Sequence, residues 1–187
     1  MMFKHMYREI NQAVKVLQDG GIIAYPTEGV FGLGCDPFNK TAVLRLLKIK
    51  RRSVGKGLIL IASSWNQVKD LVKIDLCKSC AIRPSSSNPV TWVFPATKKV
   101  PSWVSGKFAS VALRVTLHPT ANKLCQKFGS AIISTSANIA DESPIKNARQ
   151  IAKQFSGAVD FIISGRVGKL KKPTEIRDGI TNKLIRK

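Results

Sequence analysis

The sequence predicts an α/β fold, a sheet flanked by helices, on three observations. Helix-period and strand-period segments alternate from the N-terminus, in the order helix, strand, helix, strand. The strand segments are short apolar or β-branched runs, such as GIIAY at 21–25 and VTWVF at 90–94. Small polar or glycine-rich stretches follow several of those runs, where open α/β sheets hold ligands. With 187 residues, one domain over 1–187 is expected, large enough to remove roughly 70% of its unfolded surface from water.

Each element has a local reason. Over 8–18, Ile10, Ala13, Val14 and Leu17 make one apolar helical face, and Gly20 and Gly21 stop it. A strand over 21–25 ends at Pro26, which cannot donate to a ladder. Gly29, Gly32 and Gly34 read as a glycine-rich loop. A helix over 41–48 turns on Val43, Leu46 and Leu47, with Asn39 as its cap, and 58–61 is the next strand. Ser64 is placed to cap a helix over 65–72, and the SSSN stretch reads as a loop. Strands follow over 90–94 and 110–115, separated by a cationic loop that contains Trp103. His118, Pro119 and Thr120 open a helix whose face is Ala121, Leu124, Cys125 and Phe128. The strand over 131–134 runs into the small polar loop Thr135-Ser136-Ala137-Asn138. A helix over 147–155, a strand over 160–164, a basic loop over 165–172 and two short strands around Ile176 and Leu184 complete the chain.

Lys plus Arg number 31 against 11 Asp plus Glu, a net charge of +20. A surplus of that size favours polyanionic partners such as nucleotides, RNA or an acidic surface, although a basic surface can also serve solubility alone. No apolar run approaches the roughly 18 residues of a membrane span. MMFKHMYREI lacks the apolar core of a secretory signal, so a cytoplasmic location and no membrane partner are expected. The four cysteines include one C-x-x-C, Cys77 and Cys80, without a second ligand pair for zinc; ordinary reduced thiols are expected, with a redox pair the alternative.

The chemistry-bearing stretch is 24–62. Lys48, Lys50, Arg51, Arg52 and Lys56 crowd nine positions with no acid among them. A helix C-terminus welcomes one or two cations through its dipole, but that density of like charge calls for an anion, and with the preceding glycines it suits a polyphosphate. The glycines match neither G-x-x-x-x-G-K-[ST] nor G-x-G-x-x-G. Arg114 on an apolar strand must meet an anion or open onto a cleft. Ser134, Ser136 and Asn138 form either a ligand loop or a plain turn. No acid or histidine is placed to make a serine nucleophile, so a hydrolase triad is not expected.

AYPTEGVFGLGCDP (24–37), RLLKIKRRSVGKGLIL (45–60), NPVTWVFPA (88–96), ALRVTLHP (112–119), STSAN (134–138) and PTEIRD (173–178) together resemble the YrdC-type domain family, and within it the short bacterial threonylcarbamoyl-AMP synthases. The resemblance spans nearly the whole chain. It departs from the family pattern at Ser87-Asn88, at Ile139-Ala140-Asp141 and at Gly57-Leu58. It implies a twisted mixed parallel/antiparallel sheet with a concave basic groove. It also implies an enzyme that makes threonylcarbamoyl-AMP and pyrophosphate from L-threonine, bicarbonate or CO2, and ATP, for the t6A modification of tRNA. Lys50, Arg52, Ser136 and Asn138 match the family's catalytic and ATP-phosphate residues. More loosely, Thr91 and Thr174 fall to the nucleotide, and Thr27, Lys56, Arg114 and Ser134 to threonine. No protein metal site is implied; Mg2+ is expected only with ATP. Implied partners are tRNA or other RNA on the basic surface and a downstream t6A transferase complex. The reading from another class is a non-catalytic RNA-binding module acting in ribosome maturation, which would share the charge but not a convergent small pocket.

Overall fold

A glycine in the left-handed region ends the first helix. Gly20 has φ +77° and donates its N–H to the Leu17 carbonyl at 3.0 Å, closing α1 (Met2–Gln18). The computed structural model describes residues 2–73, 89–139, 142–171 and 173–186. Cys77 and Cys80, the SSSN stretch with Ser87 and Asn88, Ala140, Asp141 and Lys172 lie outside them. The helix begins well before the predicted residue 8, because nothing in 2–7 is a glycine or proline that would break it.

After α1 come β1 (Ile23–Pro26), β2 (Phe31–Gly34), α2 (Lys40–Ile49) and β3 (Ile59–Ala62). Then follow β4 (Val90–Pro95), the single-turn α3 (Ser102–Ser105), β5 (Ser110–Val115) and α4 (Pro119–Phe128). The chain finishes with β6 (Ile132–Ile133), β7 (Thr135–Ser136), α5 (Ala148–Gln154), β8 (Phe161–Ile162), β9 (Glu175–Asp178) and β10 (Leu184–Arg186). Asn39 caps α2 as predicted, its side-chain oxygen accepting from the Ala42 N–H at 3.0 Å, and Asn147 caps α5 in the same way from Gln150 at 2.9 Å. His118 sits at the N-cap of α4 with Pro119 inside the first turn, but its side chain makes no cap bond.

Three expectations are corrected. The glycine-rich stretch is a strand as much as a loop: β2 pairs antiparallel with β1, Ile23 opposite Gly34 and Pro26 opposite Phe31, around a turn closed by Thr27 N–H to the Val30 carbonyl at 3.0 Å. A side chain at Gly34 would put its Cβ 2.4 Å from the Ile133 carbonyl oxygen, so the glycine serves close approach of two strands. The helix expected over 65–72 is instead two 3-10 turns, Trp65–Gln67 and Lys69–Leu71, and Ser64 makes no side-chain cap. Tertiary bonds override the local periodicity there: the Gln67 carboxamide is drawn to Ser63 and to the Cys125 carbonyl, and Val72 bridges to Ala96. The polar loop at 135–138 also begins as a strand, β7, which pairs with β2.

The mixed parallel/antiparallel α/β class is what the chain forms, divided over two sheets. One has the order β7-β2-β1-β8 and the other β10-β9-β4-β5-β3-β6. The pairs β1–β8, β3–β5 and β4–β9 are parallel and the remainder antiparallel. The chain crosses from one sheet to the other at Ser134, between β6 and β7. Two apolar clusters hold the sheets in place. Ala13 and Leu17 of α1 and Ala121, Leu124 and Cys125 of α4 pack with Ile23, Tyr25, Ile61 and Ile132. On the other side Val43, Leu46 and Leu47 of α2 pack with Phe31, Leu33, Leu60, Phe94, Leu113 and Ile151. Burial of each leucine, isoleucine, valine or phenylalanine among them contributes roughly 1.5–3 kcal/mol. Among the described residues no helix is long and apolar enough to cross a membrane.

Candidate active site

Where the two sheets meet they leave a cleft of about 710 Å³. Its walls come from the turn after β1 (Thr27 to Val30), from Arg52 within the cationic stretch 48–56 (the basic elbow) and Ile59 just beyond it, from Arg114 on β5, and from Ser134 to Ser136 at the crossing. Leu170, Lys171, Pro173, Thr174 and Arg186 close it from the C-terminal part of the chain. The loop before β9 is strapped down by backbone bonds, Gly168 N–H to the Thr27 carbonyl (2.9 Å) and Leu170 N–H to the Glu28 carbonyl (3.0 Å). A Cβ at Gly168 would lie 2.4 Å from the Glu28 oxygen, and one at Gly29 2.6 Å from the Leu170 oxygen. Glycine at both positions lets the two backbones touch.

Glu28 and Arg114 form a buried ion pair, Oε2 to Nη2 at 3.4 Å. The Thr116 hydroxyl donates to Glu28 Oε1 at 2.5 Å, and Arg114 Nη1 donates to the Thr174 hydroxyl at 3.1 Å, which is 3.3 Å from that of Thr91. Burial pushes the Glu28 carboxyl up, but Arg114, the Thr116 hydroxyl and the nearby His118 together bring it below its ordinary value. Glu28 was not among the residues the sequence singled out for the site. Its signal was there: an arginine on an apolar strand needs an acid, and the chain has few.

Lys50 lies at the C-cap of α2, only 5% exposed. Its ammonium donates to the Ser136 carbonyl (2.5 Å), the Asn138 carbonyl (2.8 Å) and Asn138 Oδ1 (3.2 Å). All three of its N–H donors are thus engaged. Ser136 Oγ donates to Asn138 Oδ1 at 2.6 Å, and Asn138 Nδ2 donates to the Ile139 and Glu142 carbonyls. Burial, and secondarily Arg52, lowers the Lys50 ammonium from 10.5 to about 8. Arg52 follows after Arg51, whose φ of +50° turns the chain back, and its Nη2 donates to the carbonyls of Lys56 (3.2 Å) and Gly57 (2.8 Å).

The structure therefore brings Thr27, Arg52, Arg114, Ser134, Ser136 and Thr174 onto one cleft and sets Lys50 and Asn138 directly behind its Ser136 wall. Thr91 is buried behind Thr174. Lys56 is the outlier: it ends a 3-10 turn with its side chain exposed and is not among the cleft-lining residues. Lys146, Lys171 and Arg186 line the cleft without having been singled out, since sequence spacing carries no trace of contacts that distant. Among the described residues no group of three or more His, Cys, Asp or Glu side chains is placed to hold a metal ion.

A family model described as "Telomere recombination", spanning the Sua5, YciO and YrdC proteins, matches residues 15–187. The threonylcarbamoyl-AMP synthase of Coxiella burnetii is 48% identical over 180 residues, 96% of this chain and 97% of its own. P. abyssi Sua5 complexed with L-threonine superposes with a TM-score of 0.82 at 29% identity over 90% of this chain, which spans 50% of Sua5's length. E. coli YciO superposes with a TM-score of 0.81 at 25% identity, over 96% of this chain and 89% of its own.

Proposed function

The chain belongs to the Sua5/YciO/YrdC family, and from that premise we propose that it is an L-threonylcarbamoyladenylate synthase, joining L-threonine, bicarbonate or CO2, and ATP into threonylcarbamoyl-AMP with release of pyrophosphate. The carrying observation is the convergence of Arg52, Ser136 and Arg114 on one cleft at the junction of the sheets, in a chain nearly half identical to a synthase along its whole length. L-Threonine bound to Sua5 supports the amino-acid half of the reaction.

The threonine amine combines with CO2 into a carbamate without a protein nucleophile. The carbamate oxygen then attacks the α-phosphorus of ATP as the bond to pyrophosphate breaks. Such a step needs positioning and fixed positive charge against the charge that develops on phosphate oxygens. Arg52 supplies donors at the phosphates, and the Ser136 hydroxyl, whose single O–H donates to Asn138 Oδ1, joins it by turning that O–H from Asn138 to the phosphate. Lys50 acts as a positioning residue: its engaged donors hold the Ser136–Asn138 backbone in place, and its charge sits just behind that wall. Thr27, Ser134 and Arg114 make the threonine end, with Thr174 and Thr91 bracing Arg114. Lys56, exposed and outside the cleft lining, takes no part in this step. Mg2+ enters with ATP as part of the substrate; the one acid among the described cleft residues, Glu28, is already engaged with Arg114 and Thr116, so these residues do not form a metal cage and no step is drawn through one.

The single catalytic domain over 1–187, the cytoplasmic location, tRNA on the basic surface and a t6A transferase complex as consumer of the product belong to the same proposal. Pyrophosphate release from ATP, measured with threonine and bicarbonate each omitted in turn, tests it. Release should require both; release indifferent to threonine would rule out the synthase, and no release under any condition would leave the non-catalytic RNA-binding module. Arg52→Ala should reduce the rate at least about 100-fold with the fold intact, the scale of removing one oriented donor from a developing anion.

A further inference from the structure

His118 stands at the N-cap of α4, where a side chain ordinarily accepts a backbone N–H of the first turn, yet its ring makes no such bond. The ring reaches across the molecule instead. Its Nε2 lies 3.2 Å from the Arg166 carbonyl, 48 positions further along the chain. A carbonyl oxygen only accepts, so Nε2 carries the hydrogen and Nδ1 is the bare acceptor. Nδ1 is buried with no hydrogen-bond partner among the described residues. Burial makes the ring harder to protonate, against the opposing pull of the Arg166 carbonyl and the Glu28 carboxylate. The His118 main chain is fixed as well, its N–H donating at 3.2 Å to the Thr116 hydroxyl that in turn donates to Glu28.

Arg166 belongs to the segment between β8 and β9, exposed at Ser164, Arg166, Lys169 and Lys171. The segment is tied at its start by Ser164, whose N–H and hydroxyl donate to the Glu9 carboxylate at 3.2 and 2.7 Å. Gly168 and Leu170 tie its far part to the Thr27–Glu28 turn through their backbone N–H groups. His118 holds the stretch between. Beyond it the chain lines the cleft with Leu170, Lys171, Pro173 and Thr174, and Thr174 accepts from Arg114. We propose that His118 is a positioning residue for the reaction, a latch whose Nε2–H holds the 164–171 segment against the Thr27–Glu28 turn and so sets Lys171 and Thr174 at the cleft. The inference rests on the synthase reading for what the cleft binds. A side chain that served only the helix would have been spent on its cap.

The test compares the wild-type chain with His118→Asn and His118→Gln. The Gln amide can place an N–H where Nε2 stands; the shorter Asn cannot, but it suits an N-cap better than histidine does. His118→Asn should therefore keep or raise Tm while freeing the segment. Tryptic cuts after Arg166, Lys169 and Lys171 should quicken about 3- to 10-fold in it, the scale of one net hydrogen bond, with the cut after Lys107 unchanged. KM for ATP should rise by a similar factor at unchanged kcat, and His118→Gln should restore both readouts. Wild-type cleavage of the segment in His118→Asn would overturn the inference. So would a Gln variant no better than Asn, or a lower Tm with faster cleavage along the whole chain, which would mark a role in the fold. Cleavage is read without substrate, so these outcomes are separable from failure of the synthase reading, which shows as threonine-independent release by the wild-type protein.

Discussion

Arg114 and Glu28 come from different sheets and neutralise each other where water is excluded, so neither can be removed singly without cost. Glu28→Ala leaves a guanidinium buried beside Thr174 and should destabilise the fold by about 3–5 kcal/mol, read from chemical denaturation. A double change of the pair to Gln and Met should cost less than either single loss. The Glu28 carboxylate is held below its ordinary pKa, so its contribution is present at neutral pH and fades as pH falls through the lowered value. Lys50 titrates in the opposite sense. Its ammonium is lowered to about 8, so the charge is held below that pH and lost above it. Activity should therefore decline on the alkaline side with a midpoint near pH 8, and Lys50→Arg, if it retains activity, should move that limb beyond the measurable range.

At the scale of elements, two devices position these side chains. Asn39 starts α2, whose far end presents Lys50, Arg51 and Arg52. Asn39→Ala should cost about 1 kcal/mol, measurable as a drop in Tm with little change in kcat, because the cap is remote from the cleft. Gly168 lets the loop before β9 lie against the Thr27–Gly29 turn. Gly168→Ala should cost about 1–3 kcal/mol and raise KM for ATP, because the displaced segment carries Leu170 and Lys171. The helices at 8–18, 41–48 and 147–155 were legible because apolar spacing and caps are local. The 3-10 turns over 65–71 were not, since a partner far along the chain decides them, Cys125 for Gln67; the strand at 31–34 pairs with the adjacent β1, but its two glycines hid the strand pattern, and the need for glycine at 34 comes from distant Ile133.

For the whole molecule, a charge of +20 predicts binding of tRNA that weakens steeply with salt, with a log–log slope of about −0.7 to −0.9 per phosphate neutralised. A filter-binding series across ionic strength checks it, and a flat response would count against a phosphate-tracking surface. The cleft itself is a property of the assembled sheets. Ser134 marks one crossing between them, and Thr27, Arg114 and Arg186 all lie 20 or more positions from it along the chain.

The sequence by itself determined the α/β class, most of the helices and strands, the cationic elbow and the family, because periodicity, caps and motif order are read within short spans. Only the tertiary structure decided that Lys50 faces backbone oxygens, that Glu28 answers Arg114, that Lys56 stays outside the cleft and that Arg186 comes into it. The physical reason is that a buried charge takes whichever partner folding brings within reach, and that choice is made across sheets and not along the chain.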